Sequence, residues 1–237
     1  MDDEAPRKRM VRLPSGGGDG RVPAARLKTA KLRTPSSQAW LKRQLNDPYV
    51  AEAKARGYRS RAAFKLIEID EKARLLRRGM TVIDLGCAPG GWLQVLQQRG
   101  AGAVVGIDLL PVDPVAGTTI LQGDFTDDGC GERLAALLGG APDLILSDMA
   151  PNTTGHRETD HLRITGLIEA AAAFAETTLK SGGAFVAKAF QGGETADVIA
   201  TLRRAFTDVR TIKPKASRQE SSEVFLVATG FKGRQRP

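Results

Sequence analysis

One stretch constrains the fold of this chain more than any other: Thr81-Val82-Ile83-Asp84-Leu85-Gly86-Cys87-Ala88-Pro89-Gly90-Gly91-Trp92. Three β-favouring positions end in an acid, a glycine-rich turn follows, and Trp92-Leu93-Gln94-Val95-Leu96 reads as helix. Strand, tight turn and helix in that order form the nucleotide-handling corner of a Rossmann-type sheet. Glycine lets the backbone approach a ligand with no Cβ in the way. The dinucleotide fingerprint G-x-G-x-x-G is absent, and Pro89 removes an N–H that a pyrophosphate cradle would use. A ligand with an adenosine and an amino-acid end but no phosphate suits this turn better, which points to S-adenosylmethionine. A plain βα turn with no ligand satisfies the same pattern.

The remaining pattern alternates in βα fashion. Strands are expected at 81–84, 103–108, 118–121, 143–147, 183–188, 208–212 and 223–229, and helices at 91–99, 130–138, 159–180 and 194–205. This predicts an α/β fold over residues 79–232: a doubly wound, Rossmann-like, seven-stranded and mostly parallel sheet with helices on both faces. The connection 213–222 has no helical pattern, so the last two strands are expected to close as an antiparallel hairpin. Residues 36–78 read as a helical, basic preface. One helix starts at Ser36 or Ser37 before Trp40, a second at Asn46-Asp47-Pro48, and a third runs from Arg59 to before Arg77. Residues 1–35 carry many cations and few large apolar side chains, and are expected to form a disordered tail.

Charge is placed unevenly. Residues 1–65 hold 16 Lys/Arg against 6 Asp/Glu, whereas the remainder holds 19 against 21. A concentrated basic arm points to a polyanion, RNA or DNA, although a solubilising tail has the same composition. No apolar run is long enough to span a membrane, and the acidic start Met1-Asp2-Asp3-Glu4 is not a secretory signal. Cys87 and Cys130 are too few for a disulfide framework or a zinc site, so no metal is expected, and reduced thiols in a cytoplasmic protein are.

Several acids stand where a Rossmann-like sheet meets its ligand. Asp108 closes the second strand, where an acid meets ribose hydroxyls; a turn cap is the alternative. Asp124 ends the third strand and is placed to accept from an adenine amino group, or simply to make a turn. Asp148 ends the fourth strand, by the switch point, and precedes Met149-Ala150-Pro151-Asn152. That loop lacks the aromatic residue after proline that amino-group methylation uses to stack a flipped base. Base C5 methylation needs a thiolate, and neither cysteine lies in a suitable loop. A hydroxyl acceptor is left. Lys188 ends the apolar strand Gly183-Ala184-Phe185-Val186-Ala187-Lys188. Partial desolvation there penalises its charged form, as a general base requires, while a lysine snorkelling to water is equally open. By spacing alone Lys65 is a solvated helical charge and Glu223 an exposed strand start. His156 and His161 show no partner pattern.

Taken together, Tyr58-Arg59-Ser60-Arg61-Ala62-Ala63-Phe64-Lys65-Leu66, the Asp84–Trp92 turn, Asp108-Leu109-Leu110-Pro111, Gln122-Gly123-Asp124-Phe125, Ser147–Asn152, Val186-Ala187-Lys188-Ala189-Phe190-Gln191-Gly192 and Arg218-Gln219-Glu220-Ser221-Ser222-Glu223-Val224 resemble the FtsJ/RrmJ family. These are heat-shock RNA ribose 2′-O-methyltransferases, and the likeness runs from about Ser36 to Gly230. The resemblance implies a Lys-Asp-Lys-Glu tetrad at Lys65, Asp148, Lys188 and Glu223, with Lys188 as the base for a ribose 2′-hydroxyl. It counts Gly86 among the cofactor-binding residues, places Gly90, Trp92 and Asp148 at the methionine end of S-adenosylmethionine, Asp108 on its ribose and Asp124 on its adenine. It further implies a cytoplasmic, monomeric enzyme acting on a uridine of ribosomal RNA in the large subunit. The same chemistry on tRNA or an mRNA cap is the nearest rival, and a non-catalytic RNA-binding assembly factor the rival of another class. A dehydrogenase is weakest, because its fingerprint is missing. Cys87 stands where alanine is common in the family, and the basic tail exceeds the family's short N-terminus.

Overall fold

Asp47 and Pro48 start a helix as their types require: the Asp47 carboxylate accepts the Tyr49 N–H at 3.0 Å, and Pro48 occupies the first turn, where no N–H is needed. The computed structural model describes residues 46–151, 157–192 and 195–233. The basic tail of 1–35, the helix expected near Trp40, and His156 lie outside them. The order is α1 (Pro48–Ala55), α2 (Ala62–Ala73), β1 (Val82–Leu85), α3 (Gly91–Gln98), β2 (Val104–Asp108), β3 (Thr118–Gln122), α4 (Cys130–Leu138), β4 (Leu144–Ser147), α5 (Arg157–Thr178), β5 (Ala184–Phe190), α6 (Thr195–Ala205), β6 (Phe206–Ile212) and β7 (Glu223–Phe231).

The seven strands form one sheet in the order β3-β2-β1-β4-β5-β7-β6. β1 to β5 run parallel, and β7 inserts antiparallel between β5 and β6. The expected pairing of the last two strands is present, and β7 also pairs with β5, which hairpin logic alone does not predict. Side chains alternate between two cores. Val82, Leu144, Leu146, Val186, Phe225 and Val227 face α1, α2 and α3, while Ile83, Leu85, Ile145, Phe185, Ala187 and Leu226 face α4, α5 and α6. Both faces are covered, which is why the central strands β1, β4 and β5 are near-continuous apolar runs broken only by Asp84, Ser147 and Lys188 toward their carboxyl ends.

Two boundaries differ from expectation. α2 begins at Ala62, and Arg59, Ser60 and Arg61 form the bend before it, with the Arg59 N–H bonded to Gln94 instead of a helical carbonyl. α2 stops at Ala73 because Arg74 adopts a left-handed conformation (φ 52°), and the Asp70 carboxylate then takes the Leu76 N–H at 2.8 Å. The preface is no appendage: Phe64, Leu66, Ile67 and Ile69 of α2 are fully buried in the core shared with Trp92 and Phe225.

Candidate active site

β1 lies between β2 and β4, so connections leave it toward opposite faces and a crevice opens at the carboxyl ends of the strands. The turn after β1 needs its glycines. Gly86 has φ 79°, and a Cβ there would meet the Met149 backbone nitrogen at 2.8 Å, so only glycine lets this turn lie against the loop after β4. Gly90 has φ 104°, and a Cβ would sit 2.8 Å from Arg59 Nη1. Asp108 ties the turn to β2: Oδ2 accepts the Ala88 N–H at 2.8 Å, and Oδ1 accepts the Leu110 N–H at 2.9 Å. At the end of β3, Asp124 Oδ1 accepts both the Thr126 N–H (2.8 Å) and its hydroxyl (2.7 Å), which hold the carboxyl below its ordinary range.

Asp84 is the anomaly of this corner. It is fully buried, and neither carboxylate oxygen has a hydrogen-bond partner among the described residues. Burial drives its pKa well above the carboxylate range, and the charges of Asp148 and Asp108 push it the same way. Three carboxyl groups therefore converge on the turn. The carboxylates of Asp108 and Asp148 repel a phosphate and suit a ligand whose amino-acid end carries a cation. Cys87, buried below the same turn, has its thiol pushed up by burial and then by Asp84 and Asp108, so it is no ready nucleophile. Among the described residues no cluster of His, Cys, Asp and Glu is arranged to hold a metal ion.

Beside the turn lie two ion pairs. The Asp148 N–H donates to the Leu85 carbonyl at 3.0 Å, which fixes Asp148 next to the turn. Lys188 Nζ donates to the Asp148 backbone carbonyl at 2.6 Å and forms an ion pair with Asp148 Oδ1 at 3.0 Å. Only 8% of the Lys188 side chain is exposed, so the snorkelling alternative does not describe it. Lys65 is not a solvated helical charge either. Its Nζ lies 2.8 Å from both Glu223 carboxylate oxygens and 5.6 Å from the centre of the Phe225 ring. Lys188 and Phe225 are cross-strand partners, and Glu223 is two residues along β7, so both pairs occupy the same face of adjacent strands. The structure thus brings Lys65, Asp148, Lys188 and Glu223 to one end of the sheet.

The Trp92 side chain points into the core. Its ring is buried against Phe225 (centroids 5.8 Å apart), and Nε1 donates to the Ala62 carbonyl at 2.8 Å, so it acts on the turn through packing. Three contributors have no signal in spacing. The buried Glu68 carboxylate accepts the backbone N–H groups of Lys215 (2.5 Å) and Ala216 (3.0 Å); Arg61 bonds the Ala216 carbonyl and pairs with Asp47; and the Ser217 hydroxyl donates to Glu223 Oε1 at 2.6 Å. α2 therefore grips the β6–β7 connection by two turns, Lys65 and Glu68. Of these, only Arg61 belongs to a sequence motif of the resemblance, and the motif gives it no role.

A doubly wound sheet with an inserted antiparallel strand, a phosphate-averse glycine turn at its switch point and a charged tetrad alongside define a Rossmann-like methyltransferase. The family model of FtsJ-like methyltransferases matches residues 58–231. A Caulobacter sp. (strain K31) protein named ribosomal RNA large subunit methyltransferase E is 68% identical over 226 residues, 95% of this chain and 100% of that protein. An Acidiphilium cryptum protein of the same name is 60% identical, over 91% of this chain and 96% of its own. A crystal structure described as a ribosomal RNA methyltransferase from Plasmodium falciparum superposes with a TM-score of 0.66 at 34% identity, covering 75% of this chain and all of that one. The chain belongs to the FtsJ-like methyltransferase family.

Proposed function

We propose that the protein transfers a methyl group from S-adenosylmethionine to the ribose 2′-hydroxyl of a uridine in 23S ribosomal RNA, with Lys188 as general base. The observation that carries this reading is a lysine held in an apolar strand against Asp148, one strand from the Lys65–Glu223 pair and beside a glycine turn lined by carboxyl groups. The substrate assignment is supported by the names of the relatives above, and the basic N-terminal quarter suits an RNA partner. The reading includes a monomer working in the cytoplasm on RNA within the large subunit; no described helix is long and apolar enough to cross a membrane.

When bound, S-adenosylmethionine supplies an electrophilic methyl group on a sulfonium. Asp108 and Asp124 would hold ribose and adenine, and Gly90 and Asp148 the methionine end, beside a turn that Gly86 and Gly90 allow to pack closely on its neighbours. At the other side of the crevice Lys65 and Glu223 orient the target ribose. The target 2′-hydroxyl would give its proton to Lys188 Nζ in the neutral form of that amine, which frees the oxygen to take the methyl group. Asp148, in contact with Lys188, fixes where that nitrogen points.

The test is to incubate the protein with radiolabelled S-adenosylmethionine and large ribosomal subunits from a strain lacking this enzyme, in parallel with Lys188→Ala. The label is expected in alkali-resistant dinucleotides, since a methylated 2′-oxygen cannot attack its own phosphodiester, and the variant is expected to lose it. Label on tRNA alone would reassign the substrate. Tight RNA binding with no label at all would leave a non-catalytic assembly factor.

A further inference from the structure

Arg59 sits in the most basic quarter of the chain, where contact with an RNA phosphate is the ordinary expectation for a cation. Its guanidinium is already engaged. Nη1 donates to the carbonyls of Asp113 (2.5 Å) and Pro89 (3.2 Å), and Nη2 donates to the carbonyl of Pro114 (2.8 Å). Its backbone is fixed too: the Arg59 N–H donates to Gln94 Oε1 at 2.8 Å, and Gln94 Nε2 donates to the Gly57 carbonyl at 2.9 Å, which stitches this bend to α3.

The three carbonyls belong to two loops. Pro89 is in the turn after β1, and Asp113 and Pro114 are in the loop after β2, beyond Asp108. These loops meet at Gly90, where a Cβ would lie 3.3 Å from Val115 Cγ2 as well as 2.8 Å from Arg59 Nη1. They bound the crevice from two sides, and nothing else in the described residues joins them through a side chain of comparable reach except Asp108 at their base. A planar fork with several N–H donors can hold carbonyls of both loops at once; an ammonium, a compact charge on a flexible stem, cannot reproduce that geometry.

We propose that Arg59 is a positioning residue for the cofactor: it staples the two loops in the ligand-ready arrangement, so that binding does not bear the cost of ordering them. This rests on the reading of the crevice as the S-adenosylmethionine site. Its contribution falls on cofactor affinity and not on RNA affinity.

The experiment is titration calorimetry of the full chain and of Arg59→Lys and Arg59→Ala with S-adenosylmethionine, together with RNA binding across a salt series and the thermal midpoint of each protein. Both variants are expected to weaken cofactor binding about tenfold, near 1.4 kcal/mol, and to raise the cofactor KM far more than they lower kcat. RNA affinity and its salt slope are expected to stay within experimental scatter. Arg59→Lys is the discriminating variant, because it keeps the charge and so keeps any general attraction for RNA. An unchanged cofactor Kd in both variants overturns the proposal, as does full retention by lysine, which would make the fork irrelevant. A cofactor Kd that holds while the RNA salt slope becomes shallower by about one assigns Arg59 to a phosphate instead. If the unmodified protein itself does not bind S-adenosylmethionine, the crevice reading fails, and the staple with it.

Discussion

A carboxyl group sealed away from every donor opposes folding whenever it is ionised, and Asp84 is in that position. Its raised pKa has a definite consequence for stability. Between the ordinary carboxylate range and the raised value, the unfolded chain has released the Asp84 proton while the folded chain still holds it, so each step up in pH favours unfolding. Asp84→Asn removes that linkage. The thermal midpoint of the cofactor-free variant, minus that of the unmodified protein, should therefore grow as pH rises from about 4 toward neutrality; a difference that stays flat would show that Asp84 ionises freely in the fold. Ser217 sits at the opposite side of the site, 4% exposed, with its hydroxyl on the carboxylate that Lys65 also holds. Ser217→Ala leaves Glu223 held by Lys65 alone and should lower single-turnover methyl transfer about tenfold, the scale of a hydrogen bond to a charged group, with cofactor Kd unchanged. A loss in cofactor Kd instead would tie Ser217 to the crevice rather than to the tetrad.

At the scale of elements, α2 is what makes a site out of a sheet edge. Lys65 reaches Glu223 on one turn, and Glu68, a turn later, captures the 215–216 backbone. Glu68→Gln keeps the shape but sets an amide N–H2 against one of the two backbone donors. A loss of about 2 kcal/mol is expected, or roughly 4–8 °C in thermal midpoint for a chain of this size. Glu52→Gln, which breaks only the exposed pair with Arg56, should cost about 0.5 kcal/mol or less. Equal losses would refute the clamp. The contrast also marks what the sequence could reveal. Strands and helices were legible because each carries its own period, and the hairpin because 213–222 has no helical pattern. The insertion of β7 beside β5 was not, since that pairing joins residues 184–190 to 223–229 with no local signal. Glu68 and Arg59 carry no local signal of their roles for the same reason: their partners, Lys215 and Asp113, are distant in sequence. Asp148 and Lys188 stood out by their places at the ends of apolar strands, whereas Lys65 and Glu223 came forward only through whole motifs, because a lone charged residue has a solvated reading that spacing does not remove.

Over the whole molecule, charge and chemistry are divided along the chain. The residues after 65 hold 19 Lys/Arg against 21 Asp/Glu, so the body has no net attraction for a polyanion at long range. The first quarter supplies that attraction, and nine of its cations, Arg7, Lys8, Arg9, Arg12, Arg21, Arg26, Lys28, Lys31 and Arg33, lie in residues outside the described fold. Each phosphate neutralised steepens the dependence of log K on log salt by about 0.7 to 0.9. If half of these cations meet phosphates, a chain starting at Ser36 should show a salt slope shallower by about 3–4, and RNA affinity falling most at low salt. Its turnover at saturating RNA should match that of the full chain, because the tetrad and the turn all lie beyond Ser60. Filter binding over a salt series, paired with methyl transfer at saturating RNA, separates the two quantities. An unchanged slope would show that the tail serves solubility alone, and that the RNA is gathered by cations beyond residue 35.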